Sequence, residues 1–321
     1  MLHQLKASPQ TVHWGYYDWR LKPVLRVQSG DTIEIESVSG DPAILERHGL
    51  DPNDIPDNLR RINSEIKREL GPHILTGPIY VEDAHPGDVL EIRFIDIAPS
   101  TNFGYNSFMP GRGSIPQDFP YARHRIIRFD SVSGTAELQK GLSIPLRPFF
   151  GSVGVAPPDW YSRMSSIPPG FHGGNMDNKE LVAGTRVFLP VHVEGALLSA
   201  GDGHGAQGDG EVNTTAIETS LKGTIEVLVR RDLPPIWPLG DTPTHVISMG
   251  FDEDLDEAAR MALRNMIDYL VRFRGLHKDV AYSLCSLALD LRVTQIVNIA
   301  KGVHGMMSKE VIKNLPEKLV L

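Results

Sequence analysis

A chain of 321 residues, 41% of them hydrophobic and 22% charged, is long enough to bury a sizeable core in one large or two to three ordinary domains. Its formal net charge of −8 offers no basic field to a nucleic-acid backbone or an anionic membrane, and a small neutral or cationic substrate suits it better. No run approaches the roughly eighteen uninterrupted apolar residues of a membrane span. The single cysteine, Cys285, cannot form an internal disulfide, and polar groups interrupt Met1 to Gly15, so a cytoplasmic protein is expected.

Val24 to Val38 alternates around the turn Ser29-Gly30-Asp31 and predicts a hairpin. Leu59, Ile62, Ile66 and Leu70 then recur at helical spacing, with Asp57 as N-cap and Gly71-Pro72 as the stop. A second turn, Pro86 to Asp88, opens the alternating Leu90, Ile92 and Phe94, and the likeness of Gly30-Asp31-Thr-Ile-Glu-Ile to Gly87-Asp88-Val-Leu-Glu-Ile suggests two copies of one β unit. Asn102 to Pro120, rich in Gly, Pro, Asn and Phe, reads as a long ordered loop able to cover a site. Strands resume at His124 to Phe129 and Thr135 to Leu138. A Pro-rich crossing from Pro145 to Pro169 follows, with Phe149, Phe150, Val153, Val155 and Trp160 as apolar anchors.

Gly184 to Leu198 is the most apolar strand region, and Thr224 to Arg230 is a further strand. After Pro234 to Pro243 the period becomes helical. One helix is started by Asp254 and Glu257 and lined by Ala258, Ala262, Met266, Tyr269 and Phe273. A second, from Asp279 to Leu291, has Val280, Leu284, Leu287 and Leu291 on its inner face. The expected fold is α+β and mainly β. It comprises an N-terminal β-rich domain with one helix (1–150), a central β region with the site motifs (151–235), both sandwich- or barrel-like, and a smaller C-terminal α/β domain (236–321).

The densest chemistry lies in Gly201 to Glu211, where Asp202, His204, Gln207, Asp209 and Glu211 are interleaved with five glycines. Asp202 and His204 are two apart at a strand end, point to one side, and can share one ion. A second glycine-flanked group is His172-Gly-Gly-Asn175-Met-Asp177, and His73 follows the helix stop. Aspartate with histidine suits zinc and related metals, so Asp177, Asp202 and His204 are candidate ligands, with His73 a further one; calcium is second to zinc. A metal-bound water needs a nearby carboxylate to take and return its proton, and Glu211 is the candidate base. Asn175 and Gln207 can recognise a carboxamide from its donor and acceptor sides.

Other chemistries fit less well. Gly203 to Gly208 matches GxGxxG, but no long helix follows, and Asp202, Asp209 and Glu211 would repel a pyrophosphate. The EF-hand template fails at Ala206 and Asn213. Cys285 sits among leucines as a small buried hydrophobe, and no Gly-x-Ser-x-Gly elbow is present. A metal-stabilised β-sandwich that binds a small molecule without turnover is the alternative to an enzyme.

These segments, together with His73-Ile-Leu-Thr-Gly-Pro78, Arg147 to Pro157, Gly195 to Ser199 and Asp290 to Asn298, resemble the acetamidase/formamidase family over nearly the whole length. The resemblance implies hydrolysis of short linear amides to carboxylate and ammonia on a β-rich fold. It also implies bound zinc or calcium near the glycine-rich motif, a homodimer, and a small amide as substrate.

Overall fold

The computed structural model describes residues 1–321. Two large sheets carry it. The main sheet has nine strands in the order Leu2–Leu5, Thr32–Ser37, Leu221–Arg230, Val89–Pro99, Arg186–Pro190, Leu239–Asp241, His245–Asp252, Lys301–Ser308 and Leu289–Gln295. The second runs Gly173–Asn175, Phe149–Gly154, Leu198–His204, Ile74–Val81 and Val12–Trp14, with Leu25–Val27 added in parallel on Ile74–Val81. Between them lies a cluster of 29 buried residues, to which Ile33, Ile92 and Ile225 come from the main sheet and Ile79, Phe150 and Ala200 from the second. The fold is thus the expected mainly β one with a helical C-terminal part. It is sandwich-like rather than barrel-like, because the main sheet ends on two free edges, Leu2–Leu5 and Leu289–Gln295. That sheet takes strands from all three segments read from composition.

The expected hairpin at Val24 to Val38 does not form. Its halves go to different sheets, Leu25–Val27 beside Ile74–Val81 and Thr32–Ser37 beside Leu221–Arg230, with the Gly30 turn (φ 92°) passing the chain between layers. The suspected repeat is real in geometry. Asp31 and Asp88 close like turns, accepting from the backbone N–H of Gln28 at 2.9 Å and of His85 at 3.0 Å, and the strands that follow flank Leu221–Arg230 on either side. Gly184 to Leu198 is likewise two elements. Arg186–Pro190 belongs to the main sheet, then left-handed Gly195, Ala196 and Leu197 turn the chain into Leu198–His204 of the second.

The first long helix is Asp57–Glu65, shorter than its period suggests. Pro56 takes the cap position, Ile66 turns extended, and Leu70 is exposed. A short helix, Pro42–Arg47, precedes it. At the other end, Asp254 caps Leu255–Arg272 by accepting from the N–H groups of Asp256 and Glu257, as read from the sequence. The last long helix, Lys278–Ala288, packs through Ala281 and Cys285, while Val280 and Leu287 face out, the latter 84% exposed. Small residues, and not the stripe of larger apolar side chains, therefore form its buried face. Trp160, read as an anchor, is 79% exposed, whereas Phe149, Phe150, Val153 and Val155 are buried.

Candidate active site

Phe149–Gly154 explains how the two glycine-rich motifs meet. It pairs with Gly173–Asn175 on one side (Ser152 opposite Asn175) and with Leu198–His204 on the other (Phe149 opposite His204). Gly201 to His204 is therefore strand, and only Gly205 onward is loop. Asp177, Asp202 and Glu211 all have left-handed φ, at 48°, 57° and 44°, an uncommon conformation for non-glycine residues. All three side chains are thereby turned inward, and all three are buried.

Two acidic triads result, and they share one imidazole: Asp177, His204 and Glu211, and Asp202, His204 and Glu218. His204 Nε2 lies 3.4 Å from Asp202 Oδ1 and 3.3 Å from Glu218 Oε1, and its Nδ1 lies 3.9 Å from Asp177 Oδ1. His73 stands at the margin, its Nε2 3.8 Å from Asp202 Oδ2 and its Nδ1 2.9 Å from Ser166 Oγ. Gly151 lies at the centre. A Cβ there would come within 2.6 Å of both Asp177 Oδ1 and Asp202 Oδ2 and 2.8 Å of His204 Cε1.

The tautomer of His204 follows from its neighbour. Gln207 Nε2 donates to the carbonyls of Asp177 (2.8 Å) and Thr294 (3.5 Å), so its Oε1 faces His204 Nδ1 at 2.9 Å and must accept the ring proton. Nε2 is then the nitrogen presented to Asp202 and Glu218. Burial opposes the charge, but Glu218 and Asp202 hold the imidazolium well above the usual histidine range.

The carboxyls divide by partner. Burial would raise Asp202, yet His73 and His204 hold it well below the usual range. Burial raises Glu218 against the pull of His204. Burial, then the charges of Glu211 and Asp202, push Asp177 well up, and burial pushes Glu211 up to about 8. Asp177 Oδ1 and Glu211 Oε2 have no hydrogen-bond partner. Four buried carboxyls against two imidazoles, two orphaned oxygens, and a gap kept free of a Cβ make a donor set that fits a divalent cation, the Nε2 proton being the one it would displace.

Asp177, Asp202, His204, Glu211, His73, Asn175 and Gln207 are brought together here, but Asn175 and Gln207 have their amides turned toward protein groups. Asn175 accepts from Ser152 Oγ at 2.7 Å and donates to the carbonyl of Ile167 at 3.1 Å. Both carboxamides orient protein groups, so their value as substrate contacts is reduced. Asp209 lies outside, paired with Arg292 and Lys179. Glu218 and Asn298, whose amide donates to Asp177 Oδ2, were not read as site residues. Glu218 carries no motif. Its only signal is a charge inside the otherwise uncharged run Val212 to Leu221, which bridges His204. The stretch Asn102 to Pro120 begins as a strand, Phe103–Phe108. Beyond it, Ser114 N and Oγ each donate at 2.9 Å to the carbonyl of Val212, beside Glu211.

Comparison with known proteins places the whole chain. The chain is 30% identical over 312 residues to the acetamidase of Mycolicibacterium smegmatis, covering 72% of this chain and 75% of that protein. It is 29% identical over 300 residues to the formamidase of Methylophilus methylotrophus, covering 71% and 74%. The crystal structure of an acetamidase from Bacillus halodurans superposes with a TM-score of 0.82 at 32% identity, over 97% of this chain and 99% of that one. The class so defined is that of amidases, hydrolases of linear amides. Within it, the chain belongs to the acetamidase/formamidase family, whose model matches residues 4–164 and 161–311. No helix is long and apolar enough to cross a membrane.

Proposed function

We propose that this amidase cleaves short linear amides of the formamide and acetamide type with the help of one divalent metal ion, zinc before calcium. Asp202, His204 through Nε2, and Glu218 would hold the ion, with Asp177 facing them across Gly151 and His73 at the margin. When bound there, such an ion polarises a carbonyl oxygen and lowers the pKa of water toward neutrality. The observation that carries the reading is the pair of buried acidic triads joined at His204, around a space that a single methyl group would fill.

In this mechanism Glu211 is the proton carrier. Kept ionised by the charge of a bound cation, which would offset the burial that raises it, its unpartnered Oε2 takes a proton from the attacking water as the oxygen–carbon bond forms, and then delivers it to the amide nitrogen as the carbon–nitrogen bond breaks and ammonia leaves. Gln207 keeps His204 in the tautomer that presents Nε2, and Asn175, through Ser152, stiffens the strand that carries Gly151. Glu211→Gln removes the carrier and keeps the shape. Ammonia release from formamide and acetamide should fall by about 10²- to 10⁴-fold with the metal still bound. Full activity in that variant would refute the assignment.

A further inference from the structure

We infer that Asn298, delivered by the last two strands of the main sheet, is a positioning residue that sets the orientation of Asp177. This rests on the reading that Asp177 belongs to the working site. Gln295 is fully buried and organises the turn after Leu289–Gln295: its Oε1 accepts from the N–H groups of Val297 and Asn298, both at 3.0 Å, and its Nε2 donates to the carbonyl of Ala300 at 2.8 Å. Ile299 is held at φ 63°, a costly conformation for a β-branched residue, with its side chain 59% exposed. Strain that places no side chain in a core calls for another reason, and the neighbouring residue supplies one.

Asn298 is 9% exposed and donates from Nδ2 to Asp177 Oδ2, 121 residues away in the chain. The other oxygen, Oδ1, is thereby left without a partner and directed at His204 and the space over Gly151. A neutral donor suits the task. A lysine or arginine here would set a fixed positive charge against a divalent cation, whereas a neutral amide orients the carboxyl group without adding one. The turn is also tied to the glycine-rich loop, since Gly210 N donates to the carbonyl of Thr294 at 3.1 Å and Ile296 N to that of Gly210 at 3.1 Å. One segment therefore fixes both Asp177 and the loop that ends in Glu211.

The test is a cycle of Asn298→Ala, Asp177→Asn and the double variant. It is read by kcat and KM on acetamide, by affinity of the metal-stripped protein for Zn²⁺ in competition with a chelating dye, and by Tm. Asn298→Ala should lower kcat and Zn²⁺ affinity by about 10- to 100-fold, with KM changed little. The double variant should lose no more than Asp177→Asn alone. Losses that multiply in the double variant, or a wild-type kcat in Asn298→Ala, overturn the inference. Wild-type kcat and affinity in Asp177→Asn would instead overturn the site reading on which it rests. If the alanine variant fails to fold, the isosteric Asn298→Asp, which presents an oxygen to Asp177, should lose at least as much; wild-type behaviour there overturns the inference equally.

Discussion

Gly151→Ala is the smallest change that tests the geometry of the site. The backbone φ of Gly151 lies outside the left-handed region, so alanine is conformationally acceptable and any effect belongs to the methyl group. That methyl would meet Asp177 Oδ1 and Asp202 Oδ2 at 2.6 Å and His204 Cε1 at 2.8 Å. Comfortable carbon contacts are at about 3.5 Å, so each oxygen must retreat by ~1 Å. A displacement of that size at reacting groups costs about 100-fold in rate, or about 2.7 kcal/mol of transition-state stabilisation. The assay is kcat/KM for ammonia release, with metal affinity measured on the same samples. Gly208→Ala is the control: it lies in the glycine-rich loop beside the site, has no atom within 4 Å of the added carbon and no left-handed φ. It should keep full activity and gain about 0.4–1 kcal/mol of stability through the unfolded chain. A Gly151→Ala enzyme as active as the control would refute the view that this space is used.

Three further outcomes are expected. His13, His172 and His304 are buried and held neutral by desolvation, at about 4, 3 and 4 respectively. Their stabilisation is complete above the unfolded value of about 6.5 and is lost as pH falls toward 4, because the unfolded chain then binds protons that the folded one does not. His172, with both ring nitrogens unpartnered and its ring edge-on to Tyr17 at 4.9 Å, gives the clean test. His172→Phe should flatten the stability–pH slope by about 1.4 kcal/mol per pH unit between pH 6 and 4, measured by urea unfolding, and an unchanged slope would contradict this. Glu91, fully buried, receives Arg93, Arg186 and Arg230 at 2.6, 3.0 and 2.7 Å, so Glu91→Leu should cost about 3–5 kcal/mol in the same assay. Saturating Zn²⁺ at 100 times its Kd should stabilise the stripped protein by about 2.7 kcal/mol, and an unmoved unfolding midpoint would count against the metal reading.

The clustering of the candidate site residues was more legible than the strand pairing around them. Asp177, Asp202, His204, Gln207 and Glu211 stand among glycines, whose backbone freedom advertises close packing of functional groups, and local spacing was enough to single them out. Glu218 and Asn298 were not, because each acts through a long-range approach: Glu218 through a bridge to His204, Asn298 through a turn templated by Gln295. The same limit explains the hairpin that did not form. Alternation in Leu25 to Ser37 reports strands correctly but not their partners, and partners in a two-layer fold are chosen by which face each layer must bury. In Lys278–Ala288, Ala281 and Cys285 lie in the core while the larger Val280 and Leu287 face out, so apolar size alone did not mark the inner face.

The Gln207 amide has a consequence for how such a site can change over generations. The proton position on His204 is dictated by two main-chain carbonyls, those of residues 177 and 294, and carbonyls are the one feature that no substitution removes. The acidic groups around the imidazole can therefore be exchanged, and with them the preference for one cation or one acyl group, while the histidine keeps offering the same lone pair to whatever occupies the space beside it.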